Sequence, residues 1–199
     1  MSSYYRIQLE DYLKTLDVKV DSVLDIGGSA YPVKNRVKSF EANEYKILDN
    51  ELERPYKEKW TKPDIVFDLN DYGINNDNLM GYVNHFDLIF CLEVAEYIFD
   101  PVNFLHNIYL LLKPKGRVII SLPTIYPVHN LYQNDFLRYT EFGIRKLCEN
   151  AGLKIDKLIP RYAKNPDLLM AFYSNEQMRP AKEYDKHNCV GFIVECTKK

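Results

Sequence analysis

Short apolar runs of β character alternate with stretches of helical periodicity, and this alternation constrains the fold more than any other feature of the chain. Runs of strand type fall at residues 22–26, 45–48, 65–67, 86–90, 118–122, 153–159 and 190–196. Tyr5, Leu9, Tyr12, Leu13 and Leu16 give the opening 20 residues an amphipathic helix. Val102, Leu105, Ile108, Leu111 and Leu112 predict another helix behind Asp100-Pro101, an N-cap residue followed by a ring suited to position N1. Lys113-Pro114-Lys115-Gly116 reads as the turn after it. Thr140 is placed to cap a further helix with the apolar face Ile144, Leu147, Cys148 and Ala151, and Gly152 to end it. Such an order predicts βαβ units and a doubly wound, mostly parallel α/β sheet. Ligands of such sheets sit beyond the carboxyl ends of the strands, where the strand order reverses.

The length of 199 residues, without internal repeats, fits one domain spanning 1–199. Residues 160–188, with Pro160, Pro166 and Pro180, form an insertion before the last strand. It reads as a lid or contact surface, with a short helix at 166–173, or else as a disordered loop. A formal charge of −2 leaves no basic stripe for a nucleic-acid backbone. No apolar run is long enough to span a bilayer, and residues 1–10 lack a signal-peptide core, so the expected location is cytoplasmic. Cys91, Cys148, Cys189 and Cys196 form no CxxC pair and read as buried free thiols; no metal site is expected.

Three strand ends carry acids. Val23-Leu24-Asp25-Ile26-Gly27-Gly28 breaks into glycines, which let a ligand approach the backbone closely. Tyr45-Lys46-Ile47-Leu48-Asp49 ends in a carboxylate able to accept hydrogen bonds from both ribose hydroxyls of an adenosine. Asp64-Ile65-Val66-Phe67-Asp68-Leu69-Asn70 ends in another, suited to an adenine amino group. Each residue alone is as well explained by a solvated loop. There follow Phe86-Asp87-Leu88-Ile89-Phe90-Cys91-Leu92-Glu93-Val94-Ala95-Glu96-Tyr97, then Leu111-Leu112-Lys113-Pro114-Lys115-Gly116, then Arg138-Tyr139-Thr140-Glu141-Phe142-Gly143-Ile144.

From about Val23 to Leu153 these blocks, taken in order, resemble the class I S-adenosylmethionine-dependent methyltransferases, particularly the broad small-molecule group. The resemblance implies a Rossmann-like sheet of seven strands, the last antiparallel, with helices on both faces. It implies S-adenosylmethionine as cofactor. Asp25, Gly27 and Gly28 would face its methionine part, Asp49 the ribose and Asp68 the adenine. Leu69 would lie beside the ring, and Cys91 would meet the methionine part at the end of strand four. The chain departs from the family pattern where Ser29 and Tyr31 replace glycines and Tyr97 replaces a histidine. A phenol at that place suits substrate contact better than proton abstraction near pH 7.

The segment after strand five, Ser121 to Asn130 and on to Arg138, lies on the carboxyl side of the sheet and should border the acceptor. His129 is the candidate base and Asp135 its positioning partner, against a merely solvated or structural histidine. Tyr97, Tyr126 and Arg138 are candidate substrate contacts; Arg138 suits a carboxylate or phosphate, or else an ion pair to Glu141. The expected reaction is O-methylation of a small polar metabolite, a sugar or nucleotide-sugar. The alternative is a methyltransferase-like binding or scaffold subunit without activity. A homodimer stays open. The Asn/Asp-Pro-Pro-aromatic motif of DNA amino-methyltransferases and a Pro-Cys nucleophile are both absent, which argues against double-stranded DNA. A nicotinamide dehydrogenase would need G-x-G-x-x-G, where this chain has Ser29 and Pro32.

Overall fold

The computed structural model describes residues 3–50, 60–71, 77–128, 134–165 and 189–199. It contains one seven-stranded sheet flanked by helices. In chain order the elements are α1 (Tyr4–Leu13), β1 (Asp17–Ile26), β2 (Ser39–Asp49), β3 (Ile65–Val66), α2 (Asp77–Met80), β4 (Phe86–Cys91), α3 (Pro101–Leu111), β5 (Leu112–Pro123), α4 (Glu141–Asn150), β6 (Leu153–Tyr162) and β7 (Cys189–Lys198). Single 3-10 turns lie at Val33–Asn35 and Ala95–Tyr97. The strand order is β3-β2-β1-β4-β5-β7-β6. β1 through β5 run parallel, and β7 is antiparallel to both neighbours. The order therefore reverses between β1 and β4, which opens a crevice at their carboxyl ends.

Alternation along the central strands explains why both faces are covered. Val23, Leu88, Phe90 and Ile119 point to one side and are buried with Leu9, Leu13 and Val33, beneath α1 and the first 3-10 turn. Leu24, Ile89, Cys91, Val118 and Ile120 point to the other, beneath Phe104, Ile108, Ile144 and Cys148 of α3 and α4. All four cysteines are buried free thiols.

The caps form as expected. The Asp100 carboxylate accepts from Val102 N at 3.1 Å and Asn103 N at 3.0 Å, the Thr140 hydroxyl accepts from Gly143 N at 3.2 Å, and Gly152 takes φ +77°. Three local expectations are corrected. Val102 is exposed, because the apolar stripe of α3 begins at Phe104. The turn at 113–116 becomes an irregularity inside β5: pairing slips from Phe86–Leu112 to Leu88–Arg117, and Lys115 takes φ +64°. β6 continues through Pro160 and Arg161 to Tyr162, later than the expected start of the insertion. Residues 166–188 of that insertion, with its expected helix, lie outside the described residues.

Candidate active site

The crevice holds a cavity of about 340 Å³, within the usual range for small-ligand sites. Its wall takes Asp25 to Gly28 from β1 and the turn after it, Leu48 to Asn50 from β2, and Phe67 to Asn70 from the chain after β3. The chain after β4 adds Leu92, Glu93, Val94, Glu96 and Tyr97. Trp60, Tyr126 and Asn134 contribute from the connections, and Ser3 and Arg6 from the start of α1.

The glycine turn is fixed from below. Gly27 N donates to Leu48 O at 2.8 Å, and Gly27 takes φ +74°, which an L side chain rarely adopts. At Gly28 a Cβ would stand 2.3 Å from the Asp25 Oδ2 atom. Asp25 itself is 2 % exposed, and Oδ2 accepts from Val33 N at 2.7 Å and from the Tyr45 hydroxyl at 2.5 Å. Burial pushes its carboxyl up to about 6, against the pull of those donors. Asp25 thus braces the turn from beneath, where the sequence placed it facing the ligand.

Asp49 and Asp68 stand at the mouth of the crevice. Asp49 accepts from Ser29 N at 3.3 Å and Asn50 N at 3.0 Å. Asp68 Oδ1 accepts from Asn70 N at 2.9 Å and Asn70 Nδ2 at 3.1 Å, and Asn70 Nδ2 also donates to Tyr97 O at 3.0 Å. Ser29 occupies a glycine position of the family pattern without closing the turn, since its backbone N–H holds Asp49. Tyr31 is 65 % exposed and lies along the rim, leaving the hollow open.

Some expected site residues are not brought to the cavity. Cys91 is fully buried in the core beneath it, and the lining passes to Leu92 and Glu93. Arg138 is engaged by its own segment: Nη1 and Nη2 donate to the two oxygens of Asp135 at 2.5 and 2.8 Å, and Nε donates to Tyr126 O at 3.2 Å. It is therefore a clamp on the chain after β5. Asp135, expected to position a base, is the carboxylate of that clamp; Glu141 pairs with Arg145 instead. Tyr97 and Tyr126 do line the cavity, as does Leu69. His129 lies outside the described residues.

Sequence reading missed a buried charged cluster that joins Glu93 of the cavity wall to Arg161 behind it. Arg161, 1 % exposed, donates from Nη1 to Glu93 Oε1 at 2.9 Å and from Nη2 to the Tyr5 hydroxyl, with its guanidinium 3.4 Å from the Tyr5 ring centre. Glu93, at φ +58°, is held further by Ser121, whose hydroxyl donates to Oε1 at 2.7 Å. Beside them Glu96 is 5 % exposed, and its Oε2 has no hydrogen-bond partner among the described residues. Burial first, then the charge of Glu93, push its carboxyl up to about 8.

That value makes a prediction. The native chain keeps the Glu96 proton up to about pH 8, whereas the unfolded chain releases it near the ordinary 4.5. Stability from this group is complete below the unfolded value and is lost as pH rises through the folded one. Glu96→Gln, which cannot ionise, should match the wild type at pH 4 and exceed it by roughly 2–4 kcal/mol at pH 9. Calorimetric melting at the two pH values checks this; an equal difference at both would refute it.

Residues 4–158 match the family model described as a methyltransferase domain. The chain belongs to that family. No curated relative matches it in sequence. Among solved structures, it resembles a chain of the complex between the Haloferax volcanii Trm112 methyltransferase activator and a methyltransferase, with a TM-score of 0.62 at 15 % identity over 98 % of this chain and 88 % of that one. A Mesorhizobium loti S-adenosylmethionine-dependent methyltransferase gives 0.61 at 12 % identity over 98 % of both chains. Haemonchus contortus phosphoethanolamine N-methyltransferase 2, solved with S-adenosylmethionine, gives 0.56 at 15 % identity over 96 % of this chain and 52 % of that one. The fold is accordingly the Rossmann-like methyltransferase sheet, and the cofactor is S-adenosylmethionine. The residues present fit it: two glycines whose side-chain space is already filled, and two carboxylates at the ends of neighbouring strands. Among the described residues, no helix is long and apolar enough to cross a membrane, and no cluster of His, Cys, Asp and Glu is arranged to hold a metal ion.

Proposed function

We propose that this methyltransferase-family chain methylates a hydroxyl of a small polar metabolite such as a sugar or nucleotide-sugar. The observation that carries the reading is the convergence of the Gly27 turn, Asp49 and Asp68 on one cavity of about 340 Å³. When the cofactor is bound, Asp49 would accept from the ribose hydroxyls and Asp68 from the adenine amino group, with Leu69 beside the ring; all three line the cavity. When bound, the cofactor supplies a methyl carbon already activated by a sulfonium. What remains for the protein is to align the acceptor and exclude water.

Tyr97 and Tyr126 line the cavity and offer aromatic faces to a polyhydroxylated molecule. A hydroxyl acceptor also needs a base. The candidate is His129; Glu96, also of the cavity wall, keeps its proton near neutral pH and suits donating a hydrogen bond, not accepting a proton. With Arg138 engaged by Asp135, the described part of the segment after β5 presents no free guanidinium to an anionic acceptor, which favours a neutral sugar over an anionic nucleotide-sugar.

Calorimetric titration with S-adenosylmethionine and its demethylated product tests the reading. Binding at micromolar levels is expected, weakened at least tenfold by Asp49→Ala, since a hydrogen bond to a charged group contributes about 1.5–3 kcal/mol. A folded protein that binds neither would leave the scaffold-subunit reading in its place.

A further inference from the structure

The cofactor carries a carboxylate of its own, yet the cavity wall is rich in acids: Asp25, Asp49, Asp68, Glu93 and Glu96 all contribute to it. A free carboxylate docked against that wall would be repelled unless a cation met it. Among the described lining residues the cations are Arg6, on α1, and Arg36, just beyond the first 3-10 turn. Both share a single carboxylate, Glu10.

The sharing is unequal. Arg36 is held side-on, with Nε donating to Glu10 Oε2 at 3.1 Å and Nη2 to Oε1 at 2.8 Å, while Nη1 donates to Tyr31 O at 3.3 Å. Every nitrogen of Arg36 is thereby engaged. Arg6 donates only from Nε, to Glu10 Oε1 at 3.1 Å. Its guanidinium lies 5.2 Å from the centre of the Tyr31 ring. Nη1 and Nη2 of Arg6 donate to no described residue. Among the described residues, two guanidinium groups on one carboxylate leave one positive charge uncompensated, and the nitrogens without described partners are those of Arg6. Its contact with Tyr31 places this charge beside the turn after β1, next to the segment expected to meet the methionine part.

We propose that the terminal nitrogens of Arg6 bind the carboxylate of the cofactor's methionine part, with Glu10 and Tyr31 holding the guanidinium in place. This rests on the cofactor reading of the cavity. A planar fork matches a carboxylate through two parallel hydrogen bonds, which an ammonium cannot reproduce. It gives α1, which precedes the sheet, a part in cofactor selection: it recognises the amino-acid end, while the strand ends recognise adenosine.

The test compares two probes that differ in that end. S-adenosylhomocysteine carries the amino acid; 5′-methylthioadenosine keeps the adenosine and sulfur and lacks it. Calorimetry on the full chain should show that Arg6→Ala weakens S-adenosylhomocysteine about tenfold or more and changes 5′-methylthioadenosine by less than about twofold. Arg6→Lys, which keeps the charge without the fork, should fall between. Unchanged binding of 5′-methylthioadenosine also certifies a folded variant. Equal losses for both probes, or no loss for either, would overturn the proposal while leaving the cofactor reading intact. A wild-type chain that binds neither probe would overturn both.

Discussion

Arg161→Ala is expected to lower the stability of the chain by about 3–5 kcal/mol, the usual consequence of removing one partner of a buried ion pair. Three losses coincide. Glu93 keeps only Ser121 as a side-chain donor among the described residues, at 2.7 Å. Tyr5 loses the guanidinium stacked 3.4 Å from its ring, and with it a tie between α1 and β6. The third is the volume of the Arg161 side chain itself, 1 % exposed, whose removal leaves a void in the core. For a chain of this length the melting temperature should fall by roughly 10 °C. The double variant Glu93→Gln with Arg161→Met, which removes both charges and keeps the volume, should recover a large part of that loss. Differential scanning calorimetry on the two single variants and the double decides it. A loss below about 1 kcal/mol for Arg161→Ala would show that water already screens the pair.

Gly28→Ala should abolish most cofactor binding, by about 100-fold or more in the affinity for S-adenosylhomocysteine. The new Cβ would stand 2.3 Å from Asp25 Oδ2 and 2.4 Å from its Cγ. Asp25 cannot step aside, because the same oxygen receives the Val33 N–H and the Tyr45 hydroxyl in the core. The turn must move instead, and it is the turn whose next residue, Ser29, donates to Asp49. A displacement of about 1 Å at a positioned site is enough for a loss of this size. Gly81→Ala, where a Cβ meets nothing within 4 Å, is the matched control and should bind as the wild type does. Equal affinities for the two variants would show that the turn has slack.

The departures from the family pattern acquire a physical meaning here. Ser29 fits in place of a glycine because only its backbone is needed by Asp49; its side chain is buried and its hydroxyl has no partner among the described residues. Tyr31 fits because the chain turns outward at that point, carrying the ring to the rim beside Arg6. Neither substitution fills the hollow.

The periodicity of apolar residues was enough to place all seven strands and the helices at 4–13, 101–111 and 141–150, because burial on a two-sided sheet imposes a local pattern that any window of the chain displays. Strand-end acids were legible for the same reason: Asp49 and Asp68 sit where an apolar run stops, and parallel order carries both to one edge. Boundaries were less legible. β1 and β2 extend to Asp17 and Ser39 because their outer halves pair with each other and need no apolar sequence to do so.

What tertiary structure alone decided was the state of the charges. Arg161 meets Tyr5 across 156 positions and Glu93 across 68, and Arg6 reaches the cavity only because α1 packs on the sheet beside the β1 turn. Asp25 belongs to the cavity wall, yet its carboxylate braces the turn, since the chain beyond Gly28 folds Val33 back onto it. Asp135 and Arg138, three residues apart, satisfied each other instead of serving a ligand. Apolar periodicity is a property of neighbours in sequence, but the partner that satisfies a charge is whatever the completed fold brings within hydrogen-bonding reach.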